Sequence, residues 1–520
     1  MDAFHPIIYV RGYAMSESEI NETTADPFCG FNTGSTVFRA TADRTRPPRK
    51  FIFESPLVRL VSDFQYGDIY SDGRDIGDAE WTGCIARRSI IVYRYYDSAS
   101  SLLGDGETPP IERFAEGLSA LILKVRDLVC GEPANETDEA DFRCYLVAHS
   151  MGGLVCRAML QNPGLDSGGA RKHVDKFFTF ATPHNGIEVL GMNVPTWLSK
   201  NDISNFSRER MAQYLKLDTV YKKTGRVDVL PQKAFPAERV FCLIGTNRND
   251  YEAARGASRT FVGHGSDGLV RIENAALWGT GPGAAAAGVP VAKAFVYRAH
   301  SGYFGIVNSE EAYQNLTRFL FGDVRIDIWV DLDAISLPEP VAKAQDDGQK
   351  VNALYQIELL ASPRGKLWYL TRRTAEEDSV ACVTHEEWTA GAKRSLYLST
   401  LFLSMRARVN MNRASMAYSV TVGVRVPDYE IDKRLWINEH YEGGYLFRDS
   451  VVIELVPPAS EDGEWTVRHD WQSGKPGRAS TPLDANALAN GKVELPVAFE
   501  SDTTPGVAGR LRFIASAWNR

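Results

Sequence analysis

The sequence of 520 residues has no excess of positive charge. Lys and Arg total 58 against 66 Asp and Glu, a formal net charge of −8, so no basic field exists to hold a polyphosphate backbone. Nucleic acid is therefore not an expected partner. The chain also lacks any run of the roughly 18–20 apolar residues that a membrane-spanning helix requires, because its most apolar windows are broken by Arg, Asp or Gly. Cysteine is scarce: Cys29, Cys84, Cys130, Cys144, Cys156, Cys242 and Cys382 form an odd, scattered set without metal-ligand spacing. Cys144 and Cys242 fall in apolar strands, where the residue serves as a small hydrophobe, and a reducing compartment is the expectation. Met1 to Phe4 carry neither a basic n-region nor an apolar h-region, and Pro6 to Val10 already reads as a core strand. Cytoplasmic localisation is expected, or export by a route that uses no signal peptide. The hydrophobic share of 44% is too high for a disordered chain, and the length suffices for two to four packed domains.

Up to residue 322, β-branched and aromatic runs alternate with helical periodicity, the pattern of an α/β domain with a mostly parallel sheet covered by helices. Strands are expected at 7–10, 90–95, 143–148, 177–181, 240–244 and 294–297. Ile111, Phe114, Ala115, Leu118, Ile122, Val125 and Val129 recur at three- and four-residue steps and predict an amphipathic helix. Beyond Gly322 the periodicity changes to strands separated by Gly, Pro and Asp clusters, at 324–330, 397–403, 419–426 and 451–456. Residues 323–520 thus read as an all-β, sandwich-like domain following a first domain of residues 1–322. The Ala-rich patch 279–288 reads as a flexible loop.

Phe142 to Arg157 runs from a strand into a serine and directly into a helix. A serine at so sharp a bend has a strained backbone, and the residues two before and two after approach so closely that only small ones fit; Ala148 and Gly152 meet that demand. This geometry exposes the Ser150 hydroxyl at the carboxyl end of the sheet and aims the Met151 N–H at a developing oxyanion. Ala148-His149-Ser150-Met151-Gly152-Gly153 resembles the nucleophile elbow of α/β-hydrolase lipases and esterases, in the variant with Ala for the first Gly. His5 to Tyr13 is similar to the first long strand and oxyanion loop of bacterial lipases, with Arg11 where that family usually has His. The resemblance implies the Tyr13 N–H as the second oxyanion donor. Phe180-Ala-Thr-Pro-His184-Asn-Gly186 resembles a stretch shared by lipases and GPI inositol-deacylase-like hydrolases, in which Pro and Gly shape the pocket rim. His184 reads as structural.

A serine at its free pKa is a weak nucleophile, so a histidine must take its proton and a carboxylate must orient that histidine. The α/β-hydrolase order is serine, acid, histidine. Asp267, in a Ser-Asp-Gly-Leu-Val context after the strand 240–244, resembles the acid loop of lipases and lecithin–cholesterol acyltransferase-like enzymes. His300 follows the next strand and alone among nine histidines has that order and context. His149 reads as a packing or rim residue, and His264 as a loop residue. Asp218 and Asp250 lack the context of Asp267.

Between residues 186 and 235, Val194, Trp197, Leu198, Ile203, Phe206, Met211, Tyr214, Leu215 and Leu217 stand among charges, as an apolar lid or as helices packed on the sheet. The acidic stretch Asp63 to Glu80, with Asp68, Asp72, Asp75 and Asp78, has no EF-hand spacing and reads as a solvated loop. His385-Glu-Glu-Trp lacks the second His of a zinc motif. The expectation is a serine hydrolase of carboxylic esters, in the lipase, phospholipase or carboxylesterase range, that requires neither metal nor organic cofactor. Its alternatives are acyl transfer through the same triad and an inactive hydrolase-fold protein that binds through its β domain. Trp329, Trp368, Trp388, Trp436, Trp465, Trp471 and Trp518 furnish either a platform for a membrane surface or glycan, or sandwich core.

Overall fold

The structure, a computed structural model, describes residues 4–12, 35–39, 49–53, 55–69, 83–95, 109–189, 192–193, 203–250, 264–280, 287–302, 305–432, 439–456, 466–474 and 480–519. Tyr13, Cys29, Asp72, Asp75, Asp78, Val194, Trp197, Leu198, Trp436 and Trp465 lie outside these residues, as does most of the Ala-rich patch. The ends of that patch are strands, Trp278–Thr280 and Ala287–Pro290, paired antiparallel. The chain divides into two compact units: Met1–Lys293 with Arg298–Leu316, and Ala294–Tyr297 with Thr317–Arg520.

A seven-stranded sheet contains, in chain order, β1 (Ile7–Val10), β2 (Gly67–Asp68), β3 (Ser89–Tyr93), β4 (Cys144–His149), β5 (Val174–Phe180), β6 (Val240–Gly245) and β7 (Ala292–Val296). Their spatial order is β7-β6-β5-β4-β1-β3-β2. The pairs β2/β3, β3/β1, β1/β4, β4/β5 and β5/β6 are all parallel. A parallel strand covered on both faces has no solvent side, which is why Ile7, Ile8, Tyr9 and Val10 form an unbroken apolar run with no exposed surface. All six strands expected from the sequence are present within a few residues. The edge strand β2 is additional, too short to leave a pattern.

The helix Ile111–Cys130 buries all seven residues of its expected stripe. The helix Met151–Gln161 has no solvent face, every residue from Met151 to Gln161 being buried. Such a helix is apolar all round, and its one cation, Arg157, is satisfied internally. The Arg157 guanidinium donates to Gln161 Oε1, to the His184 carbonyl at 2.9 Å and to the carbonyls of Val227 and Val229. Segment 203–235 packs against this helix: Phe206, Met211, Tyr214, Leu215 and Leu217 are core residues, and the Asn162 amide donates to the Tyr214 carbonyl. These five apolar residues are therefore core and do not line an exposed cap.

The second unit is a sandwich of two antiparallel sheets. One has the order Ser395–Leu403, Val324–Ser336, Gly506–Ala517, Val493–Glu500, Asn486–Ala487. The other has the order Thr371–Arg373, Lys350–Pro363, Met416–Asp432, Glu439–Val456, Thr466–Trp471, Thr481–Pro482, with Ala381–Thr384 paired to Lys350–Pro363. Alternation on one face supplies the core: Ile326, Ile328, Val330 and Leu332 point inward while Arg325, Asp327, Trp329 and Asp331 do not. Together with Val420, Val422, Val424, Val451 and Ile453 they form one cluster. Two short helices, Glu339–Asp346 and His385–Thr389, join this otherwise all-β unit.

Candidate active site

β4 ends at His149, and Ser150 turns the chain into the helix with φ 52° and ψ −124°, a left-handed conformation that strains any residue with a Cβ. The strain is held in place by neighbours. The Ser150 N–H donates to the Phe180 carbonyl at 2.9 Å, and Ala181, next along β5, also has a positive φ of 46°. Gly152 fits only because it has no side chain: a Cβ there would lie 2.3 Å from the Val10 carbonyl oxygen and 2.4 Å from that of Arg11. Gly12 crosses over the elbow equally closely, with a Cβ position 2.8 Å from Ser150 Cβ. The Tyr95 hydroxyl anchors this crossing by donating to the Arg11 carbonyl at 2.6 Å.

Ser150, His300 and Asp267 are buried and hydrogen-bonded in series: Ser150 Oγ to His300 Nε2 at 2.9 Å, and His300 Nδ1 to Asp267 Oδ2 at 2.9 Å. The loop conformation sets these distances. Asp267 Oδ1 accepts the N–H groups of Leu269 and Val270, leaving Oδ2 for the imidazole, and the His300 N–H donates to the Asp267 carbonyl at 3.0 Å. Gly245 at the end of β6 admits the acid loop, since a Cβ there would meet Asp267 Cβ at 2.9 Å. Met151 is the first residue of its helix, where N–H groups lack an intrahelical acceptor and the helix dipole favours negative charge. Tyr13, the other expected oxyanion donor, is outside the described residues. A buried serine so placed can pass its proton to an imidazole whose positive charge a carboxylate then balances.

His149 is more than a rim residue. Its Nε2 donates to the His300 carbonyl at 2.9 Å and its ring lies 5.0 Å from that of His300, so it braces the loop that carries the imidazole. His184 stands apart from the array. It is buried, with Nε2 against Thr179 Oγ1, and its carbonyl is held by Arg157. Asn185 beside it accepts the Val227 N–H and donates to Asn274 Oδ1, tying the Thr-Pro-His turn to two other loops. His264 is exposed.

Burial, reinforced by the neighbouring His300, lowers the pKa of His149 to about 3, and burial with Arg87 nearby lowers that of His5 to about 4. Burial also holds His184 well below the usual imidazole value. Below pH 6.5 the unfolded chain protonates these groups while the folded chain leaves them neutral. The unfolded state then binds more protons, so stability falls as pH drops from 6.5 toward the folded values, by up to about 1.4 kcal/mol per pH unit for each histidine. His149→Gln, which retains an N–H donor for the His300 carbonyl, is expected to flatten this acid loss. Denaturant unfolding of both proteins at several pH values between 7.5 and 4.5 tests it, and equal slopes would refute it.

Residues 107–233 match the sequence profile of the PGAP1-like alpha/beta domain. That segment holds Ser150 and the Thr-Pro-His turn and ends before Asp267 and His300. Among solved structures, the mature form of a Bacillus licheniformis lipase is similar at 14% identity, covering 62% of this chain and 93% of its own, with a TM-score of 0.30. A gene product of Listeria innocua is similar at 13% identity, covering 61% and 94%, with a TM-score of 0.26. No curated protein matches the chain in sequence. The first unit has an α/β-hydrolase fold and is similar over residues 107–233 to the PGAP1-like alpha/beta domain. Among the described residues, no helix is long and apolar enough to cross a membrane.

Proposed function

We propose that the chain is a serine hydrolase of carboxylic esters that works through an acyl-enzyme. The observation that carries this reading is the pair of 2.9 Å hydrogen bonds joining Ser150, His300 and Asp267 behind a strained strand-to-helix turn. Ser150 Oγ attacks the ester carbonyl while His300 Nε2 takes its proton. The imidazolium stays paired with Asp267 and returns the proton to the departing alkoxide, which leaves as the alcohol. Water then attacks the acyl-serine, giving its proton to His300, and the acid is released as Ser150 recovers its own. The backbone N–H groups of Met151 and Tyr13 are the oxyanion donors in both steps, a role worth about a hundredfold or more in kcat per donor. His149 acts through His300 as a positioning residue.

Hydrolysis of p-nitrophenyl esters of graded chain length tests the reading, alongside covalent labelling by a fluorophosphonate. Stoichiometric labelling at Ser150 with turnover of at least one ester is the expected result, and a longer-chain optimum would place the substrate among lipid acyl esters. A folded protein that neither labels nor turns over any ester, with or without phospholipid vesicles, would sink it.

A further inference from the structure

The second unit holds a cavity of about 640 Å³ on the outer face of its larger sheet, with four arginines on its walls. Strand register shows how the sheet builds its floor. Ala417, Glu454 and Arg468 are lateral neighbours across Met416–Asp432, Glu439–Val456 and Thr466–Trp471, and Ser419, Val452 and Asp470 form the next row of that face. The short side chains of Ala417 and Ser419 leave room above the sheet. The turn that follows Met405–Ala407 brings Arg408 and Arg413 to the wall, and Arg364 stands where Lys350–Pro363 ends.

The charges in this concavity do not neutralise one another. Glu454 accepts a hydrogen bond from Ser415 Oγ at 2.7 Å, and the Arg468 guanidinium is fixed by the hydroxyl and carbonyl of Ser480. Among the described residues Arg364, Arg408 and Arg413 enter no ion pair, and Arg408 Nε is buried without a hydrogen-bond partner. An unmatched buried donor is unfavourable by about 1–3 kcal/mol, and clustered guanidinium groups repel. Four guanidinium groups against the two carboxylates of Glu454 and Asp470 leave this concavity positively charged in a chain of net charge −8, and an anion bound among them would offset their mutual repulsion.

We propose that this cavity binds an organic phosphate ester, a site independent of the ester-hydrolase reading of the first unit. A carboxylate offers two oxygens to one guanidinium fork, whereas a phosphate offers three or more and can engage forks from several directions. The volume lies within the roughly 300–1,000 Å³ of small-molecule sites, so inorganic phosphate alone would leave most of it empty. The apolar side chains of Val409 and Val452 suit the organic part. Such a group is the headgroup of an anionic phospholipid or a soluble phosphate ester.

The test uses the full chain and the double variant Arg364→Ala/Arg413→Ala, both exposed positions, with circular dichroism confirming the fold. Calorimetric titration with glycerol 3-phosphate, with glycerol as the neutral control, is one arm. Co-sedimentation with vesicles of dialkyl ether phosphatidylcholine, alone or doped with ether-linked phosphatidic acid, is the other, since these lipids carry no ester to hydrolyse. Binding of glycerol 3-phosphate without vesicle binding identifies a soluble ester; binding of doped but not neutral vesicles identifies a lipid headgroup. In either case the double variant binds at least tenfold more weakly. If the wild-type chain binds neither probe, or the variant binds as tightly as wild type, the proposal is overturned.

Discussion

Ser150→Ala is expected to lower kcat for ester cleavage by about a millionfold and to abolish fluorophosphonate labelling. The serine, histidine and carboxylate act as one unit, so removal of the nucleophile forfeits almost the entire covalent route, and the residual rate reflects substrate binding and the oxyanion donors. For the same reason His300→Ala should fall nearly as far, and Ser150→Ala/His300→Ala no further than either. Asp267→Asn should lose about ten-thousandfold, because the amide presents an N–H to His300 Nδ1 and favours the wrong tautomer. Alanine at 150 has no greater conflict with φ 52° than serine, so the elbow persists and the comparison isolates the hydroxyl. Steady-state kinetics on a p-nitrophenyl ester gives the ratios. Activity of Ser150→Ala within tenfold of wild type would mean that another group does the chemistry.

Gly152→Ala should be the most damaging small substitution in the first unit. Its methyl group would stand 2.3 Å and 2.4 Å from two main-chain carbonyl oxygens, those of Val10 and Arg11, and neither can rotate away as a side chain could. Either β1 or the helix Met151–Gln161 must shift, and both are fully buried, so a loss of about 3 kcal/mol or more is expected. Activity should fall as well, since β1 leads into Gly12 over the elbow. Gly67→Ala is the control: nothing lies within 4 Å of its Cβ position, and its effect should stay within about 0.5 kcal/mol. Equal unfolding free energies for the two variants would show that the elbow is slack.

The meeting of Ser150, Asp267 and His300 in the candidate site was legible in the sequence because each of the three announces itself locally. Ser150 stands between small residues where a strand meets a helix, and Asp267 and His300 each follow a strand in serine–acid–histidine order. The sequence reading of His149 as a packing or rim residue did not include its bond to the His300 carbonyl, because that partner lies 151 residues away and no residue type or spacing records such a bond. Arg157 did leave a signal: it is a lone cation inside Met151–Gln161, whose other residues are small or apolar but for Gln161, so it must face inward. In the second unit, Val324–Ser336 alternates cleanly and was expected. Lys350–Pro363 was not, because its burial runs irregularly and three consecutive residues, Ile357, Glu358 and Leu359, are all buried, which erases the two-residue period.

The interior position of β1 in the sheet also sets a timetable. Its partner residues on β4 lie 138 positions further along the chain, Ile7 facing Tyr145, and those on β3 follow it by 83, Ile7 facing Ile90. At a ribosomal rate of about 5–20 residues per second, four consecutive apolar residues wait on the order of ten seconds before both flanking strands exist. During that interval they form an unpaired strand edge, the kind of surface that recruits chaperones or nucleates aggregation. Yield of this protein on synthesis should therefore depend on elongation speed and chaperone supply far more than the stability of the finished sheet would suggest.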